Sequence, residues 1–244
     1  MSCAVVIPAR MESTRFPGKP LCDLMGKPMV QWVVEAATAA NITDRIVVAT
    51  PNPEIIDACR AFGAEAILTR NDHVSGTDRI AEAAGQLNAA FYINVQGDEP
   101  LVHPDTIRAA AQPLIDSPEV QMASVWCPCT PEELDNPAAV KVVTDLQGNA
   151  LYFSRHSIPF QRADTGIVTK KHIGIYVYRH DVLMEFSKWQ PTPLEQTESL
   201  EQLRFLENGI KIRMCEGKNS PVAVDTPEQA EQVRQILASG QKLH

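Results

Sequence analysis

The 244-residue sequence predicts an α/β fold: a mostly parallel sheet with helices on both faces and an inserted β-rich portion. Three observations carry that expectation. Short apolar runs alternate with helix-period patterns through the first half. After about residue 118 the helical patterns thin out and strand-like runs follow one another. A short apolar run and a well-signalled helix then return near the end.

The first apolar run is Ala4 to Ile7, and Arg45 to Ala49, Ala66 to Leu68 and Phe91 to Val95 repeat its character. Runs this short, apolar on both faces, read as buried parallel strands. Between the first two, Met29, Trp32, Val33, Ala36, Ala37 and Ala40 recur at the spacing of one helix face. Ile80, Ala83, Ala84 and Leu87 do the same before the run at Phe91. Strand–helix alternation implies right-handed βαβ units, which bind ligands beyond the carboxyl ends of their strands.

Met122 to Cys127, Val140 to Thr144, Ala150 to Phe153 and His172 to Tyr178 read as later strands. Leu146 to Asn149 carries a turn signal between two of them and predicts a hairpin. A helix is expected from Glu195 to Glu207, closed by Asn208 and Gly209. Its Leu200, Leu203 and Phe205 are expected to pack onto the sheet. A strand is expected near Val222 to Val224, then a helix from Pro227, with Thr226 as N-cap and Gln229 as its capping-box partner.

Composition bounds the function. The chain is 44% hydrophobic with a formal net charge of −8, which disfavours broad nucleic-acid binding. Six cysteines occur, of which only Cys127 and Cys129 lie close together, without a second pair at zinc-finger spacing. No apolar stretch approaches the roughly 18 residues of a membrane span. No basic segment leads into an apolar one at the N-terminus, so a cytoplasmic location with reduced thiols is expected.

Four segments could carry chemistry. Pro8, Ala9 and Arg10 open a loop directly after the first strand, and Arg15 and Lys19 follow within it. Arginine forks and a lysine point charge suit triphosphate oxygens and a pyrophosphate leaving group. Gly18 and the prolines shape and stiffen the loop, which matches neither a P-loop nor a dinucleotide fingerprint. Asp98 sits at the carboxyl end of the run at Phe91, within Gln96-Gly97-Asp98-Glu99-Pro100. A carboxylate there can hold Mg²⁺ against phosphates, and Asp225, just before the last helix, would supply a second. Arg70 to Arg79 follows the third strand, where Ser75, Gly76 and Thr77 offer polar groups to a base edge and Arg70 and Arg79 add cations.

Together these segments resemble the family of 3-deoxy-manno-octulosonate (Kdo) cytidylyltransferases, whose fold is a Rossmann-like nucleotidyltransferase sheet. Beyond the loop of Pro8 to Pro20, the likeness rests on Ser75-Gly76-Thr77-Asp78-Arg79, Gln96 to Pro100, Ala150 to Arg155, His172 to Tyr176, Leu200 to Arg204 and Val224 to Glu228. Met11 stands where many members carry an aromatic residue, and the stretch from Gln161 to Lys171 is shorter than in many. The resemblance implies the reaction CTP plus Kdo to CMP-Kdo and pyrophosphate, serving lipopolysaccharide synthesis, by attack of the anomeric hydroxyl on the α-phosphate. It implies that Arg10, Arg15 and Lys19 hold the triphosphate and that Ser75 and Gly76 contact cytosine. It implies Mg²⁺ on Asp98 and Asp225, and a sugar site of Gln96, Arg155, His172, Tyr176, Glu201 and Gln202. Arg155 suits the sugar carboxylate as a fork, and His172 and Tyr176 share a strand face. Arg10, Lys19, Asp98 and Asp225 are the catalytic candidates. Residues about 1–118 and 215–244 would then bind nucleotide and metal, and about 119–214 would bind sugar and form a homodimer.

The alternatives are a cytidylyltransferase for 8-amino-Kdo or another sugar acid, another sugar nucleotidyltransferase, and a nucleotide-binding regulator without turnover. A metal-dependent glycosyltransferase is disfavoured, since Gly97-Asp98-Glu99 is not the usual Asp-x-Asp.

Overall fold

The computed structural model describes residues 2–73 and 75–240; Met1, Val74 within the fourth segment, and 241–244 lie outside the described residues. The chain forms two compact units. The first runs up to Arg108 and resumes at Ser220, and the second is Ala109–Asn219.

In the first unit, strand β1 (Cys3–Pro8) leads through a loop to a small hairpin, β2 (Asp23–Leu24) and β3 (Lys27–Pro28), and then α1 (Met29–Ala39). There follow β4 (Ile46–Thr50), α2 (Pro53–Ala61), β5 (Glu65–Leu68), α3 (Gly76–Ala84) and β6 (Phe91–Asn94). The unit's sheet has the order β6-β1-β4-β5, and each pairing is parallel. The helices α1, α2 and α3 pack against its strands. The β1, β4 and β6 side chains are nearly all buried, as apolar runs in a parallel sheet require. β5 departs from the expectation of a buried strand. It pairs only with β4, and Leu68 is 58% exposed.

Helix α4 (Pro104–Asp116) contains the boundary between the units at Arg108. The second unit then has β7 (Met122–Pro128), β8 (Lys141–Thr144), β9 (Ala150–Ser154) and β10 (Lys170–Arg179). Three short helices follow, α5 (His180–Phe186), α6 (Pro193–Glu198) and α7 (Gln202–Glu207), and then β11 (Ile212–Glu216). β7 runs parallel to β11 and antiparallel to β10; β8 pairs antiparallel with both β10 and β9. The β8–β9 hairpin turns where the sequence signals it, with Gly148 at φ 81°.

Two expectations fail here for visible reasons. The helix expected from Glu195 to Glu207 is two helices, because Ser199 adopts a left-handed conformation with φ 52° and ψ 51°. The strand expected at Val222 to Val224 does not form. Val224 is fully buried with Leu24, Met29, Leu101, Ala230 and Val233. Its N–H makes one bond, to the Asp98 carbonyl at 2.8 Å, rather than joining a ladder. The apolar signal there came from core packing. The last helix, α8 (Pro227–Ala238), forms with the expected Thr226–Gln229 capping box.

Candidate active site

The loop after β1 is closed by its own backbone. Gly18 N–H donates to the Met11 carbonyl at 2.8 Å, and Asn52 accepts from the Met11 N–H at 3.0 Å. Gly18 has φ 75°, a conformation that glycine enters without a Cβ clash, and it starts a single 3₁₀ turn over Lys19–Leu21. That turn presents the Lys19 side chain to the ends of two other segments.

Lys19 Nζ donates to Asp98 Oδ2 at 2.8 Å, to Asp225 Oδ1 at 3.0 Å and to the Val224 carbonyl at 3.1 Å. Arg15 Nη2 lies 3.0 Å from the other oxygen of Asp225. Partial burial acts to lower the Lys19 pKa, but the Asp98 charge and the hydrogen bonds to both aspartates outweigh it, and the net shift is upward. Asp225 is held from behind, its N–H donating to Gln229 Oε1 at 2.7 Å.

A cleft of about 800 Å³ lies over this end of the first unit. Pro8, Ala9, Arg10, Arg15, Lys19, Ser75, Gly76, Arg79, Gln96, Gly97, Asp98 and Asp225 all line it. Gly97 is there because nothing larger fits. A Cβ on it would stand 2.6 Å from the Pro8 carbonyl oxygen, so the two segments could not approach as they do. Ser75 caps α3, its Oγ accepting from the Asp78 N–H at 3.2 Å and donating to the Asp78 carboxylate at 3.0 Å. Its hydroxyl is therefore already engaged.

Arg79 is 2% exposed. Its Nη1 donates to Thr69 Oγ1 at 2.6 Å and to the Arg70 carbonyl at 2.9 Å. Its Nη2 has no partner among the described residues, an uncommon state for a buried donor and one that a ligand acceptor would relieve. Burial and then the Arg10 charge lower the Arg79 pKa. Arg70 is not part of the cleft lining. Its guanidinium faces Asp72 and Glu82 instead, and its side chain is largely exposed.

The donor set suits a hard divalent cation. Two carboxylates converge on one cation position, both are open to the cleft, and Mg²⁺ commonly takes one or two protein carboxylates with the rest from phosphate and water. Among the described residues no cluster of three or more His, Cys, Asp or Glu side chains forms. Substrate oxygens and water would have to complete the shell.

In the second unit the remaining candidates gather in part. His172 Nε2 lies 2.9 Å from Ser124 Oγ, and that hydroxyl donates to the Ile175 carbonyl at 2.8 Å. The imidazole is therefore the Nε2–H donor. The His172 ring meets Phe153 edge-on at 4.9 Å and Tyr176 at 5.3 Å, despite a bulge in β10 between Ile173 and Tyr176. Tyr176 donates to Gln202 Oε1 at 3.2 Å. Burial pushes the His172 pKa down to about 3. Burial, then the neighbouring Tyr178 and Glu201, push the Tyr176 hydroxyl well up.

Arg155 is not the free carboxylate fork that the sequence suggested. Its Nε donates to the Glu198 carbonyl at 2.7 Å, Nη2 to Ser199 O at 3.0 Å and Nη1 to Pro137 O at 3.0 Å. The guanidinium clamps the break between α6 and α7. Glu198 completes the clamp, taking hydrogen bonds from Ser154 Oγ at 2.7 Å and Arg155 N–H at 3.0 Å. The sequence does not point to Ser124 and Glu198 as supporting residues, and it points to Gln229 only as the capping-box partner of Thr226, not as the acceptor for the Asp225 N–H.

The Cytidylyltransferase family model matches residues 4–212. The 3-deoxy-manno-octulosonate cytidylyltransferase of Geobacter sulfurreducens is 47% identical, covering 97% of this chain and 100% of its own length. That of Pseudomonas fluorescens is 48% identical, covering 96% and 97%. Among solved structures, a CMP:2-keto-3-deoxy-manno-octonic acid synthetase complexed with CTP superposes with a TM-score of 0.95 at 43% identity, covering 98% of this chain and 100% of that one. A Leptospira borgpetersenii cytidylyltransferase, 15% identical with a TM-score of 0.66, shares the fold.

Proposed function

The chain belongs to the 3-deoxy-manno-octulosonate cytidylyltransferase family, and from that premise we propose that it transfers CMP from CTP to the anomeric hydroxyl of Kdo, releasing pyrophosphate. The observation that carries this reading is the convergence of Lys19, Asp98, Asp225, Arg15 and Arg79 on one cleft at the carboxyl ends of a parallel sheet.

Nucleotidyl transfer is dominated by positioning and charge neutralisation. In this reading Arg10, Arg15 and Lys19 hold the triphosphate and neutralise charge on the departing pyrophosphate. The helix start at Ser75 and Gly76 offers backbone groups to the base, and the free Arg79 Nη2 adds a buried donor. Asp98 and Asp225 would hold Mg²⁺, which when bound supplies Lewis-acid polarisation of the α-phosphate and acidifies the attacking hydroxyl. Gln96 lines the same cleft, and its amide donates to Asn94 Oδ1 at 3.1 Å. His172, Tyr176, Glu201 and Gln202 are assigned to the sugar, with Arg155 holding the α6–α7 junction on which Glu201 and Gln202 stand. His172 is neutral at physiological pH and acts there as a hydrogen-bonding wall, with no role in carrying a proton. A cytoplasmic location and a part in supplying lipopolysaccharide synthesis follow from this reading. No helix among the described residues is long and apolar enough to cross a membrane.

Coupled pyrophosphate release with CTP and Mg²⁺ tests the substrate. Kdo should support turnover at a kcat/KM at least roughly 100-fold above sialic acid, with 8-amino-Kdo assayed beside them. Equal or faster turnover with either competitor reassigns the substrate. CTP binding without pyrophosphate release from any sugar acid favours the regulator.

A further inference from the structure

We propose that the Lys19 ammonium holds the place of the divalent cation until nucleotide arrives, so that metal and nucleotide enter this cleft as a linked pair. The inference rests on the reading of Asp98 and Asp225 as metal ligands.

An ammonium has three N–H donors, and all those of Lys19 are used, on Asp98, Asp225 and the Val224 carbonyl. The same group cannot hold these acceptors and also meet a triphosphate. Its contacts with Asp98 Oδ2 and Asp225 Oδ1, at 2.8 and 3.0 Å, put one positive charge between the two carboxylates a metal would share. A divalent cation entering beside it would face a like charge within a few ångströms, which is strongly unfavourable even at a partly solvated site. Removing the ammonium with nothing in its place would leave Asp98 without its cation and Asp225 with only the largely exposed Arg15. The electrostatically sound states are therefore those with one occupant at a time.

The anchoring fits an exchange of occupants. The Lys19 backbone is fixed by the closed loop and the 3₁₀ turn after Gly18. The four-carbon stem can swing while the backbone stays. A triphosphate offers Nζ denser negative charge and brings the oxygens that complete a magnesium shell. Drawing Lys19 away and filling the metal site then become one event, and the coupling is reciprocal.

Mn²⁺ binding to the full chain without nucleotide, read as free Mn²⁺ by electron paramagnetic resonance, tests this directly. Lys19→Gln should bind Mn²⁺ roughly tenfold or more tightly than wild type, since it removes the competing charge. The gain should vanish in the double variant Lys19→Gln with Asp225→Asn. Wild type binding Mn²⁺ as tightly as Lys19→Gln overturns the placeholder but leaves the metal reading standing. A gain that survives in the double variant places the ion elsewhere and overturns both. Lys19→Met serves if the Gln variant fails to fold by circular dichroism, and the same comparison applies to it.

Discussion

Lys19, Asp98 and Asp225 lie far apart in the chain and meet at one point, Lys19 from the 3₁₀ turn, Asp98 from the turn that follows β6 and Asp225 from the loop just before α8. Their residue types were legible in the sequence, because a cation and carboxylates at strand ends point to phosphate and metal. That the lysine would sit directly between the aspartates was not legible, since spacing along the chain says nothing about a contact between three separate segments. Arg155 shows the opposite case, a residue whose type was read correctly as a fork but whose acceptors are backbone carbonyls. His172 carries a pH prediction. Part of the residue still meets solvent, but its ring is packed by protein, and its pKa falls from 6.5 to about 3. Between those values the unfolded chain binds a proton that the folded chain refuses. Stability therefore rises with pH across that window and is lost as pH falls from about 6.5 toward 3. Urea midpoints measured across this range should drop less steeply in His172→Gln, whose amide can still donate to Ser124, than in wild type. Parallel profiles would show that His172 does not set the acid limb.

At the scale of elements, the buried strands β1, β4 and β6 were legible because parallel strands covered on both faces are continuously apolar. The hairpin of β2 and β3 was not read. It is two residues per strand, turned by Met25 at φ 56° and Gly26 at φ 85°, too short for any period-2 pattern. The α6–α7 break was hidden because Ser199 is unremarkable in sequence, and the left-handed turn there is imposed from outside. Arg155 holds the carbonyls on either side of it, and Arg204 reaches back across the break to a buried ion pair with Glu195. Leu200, Leu203 and Phe205 are nonetheless buried, so the apolar face was read correctly while the helix was not continuous. The Val222 to Val224 run misled for a related reason, since burial in a core and membership of a ladder leave the same apolar mark.

At the scale of the whole molecule, each unit has a separate task in the proposed function. The first unit alone assembles the cleft with its phosphate and metal candidates. The second carries exposed apolar side chains at Leu151, Phe160, Ile167 and Val168. We propose that this unit forms the homodimer interface that the resemblance implies, and the exposure of these apolar side chains supports it. Sedimentation should then give a dimer at micromolar concentration, and a monomer there would remove the assignment. The central claim is that Asp98 and Asp225 form the metal-binding end of the nucleotide cleft, and Asp225→Asn tests it most directly. The variant keeps the shape of the side chain but loses the charge that faces Lys19 and Arg15. Turnover with CTP, Kdo and Mg²⁺ should fall at least roughly 100-fold, while the Kd for CTP measured without a divalent cation changes no more than severalfold. Full turnover in Asp225→Asn would contradict the account.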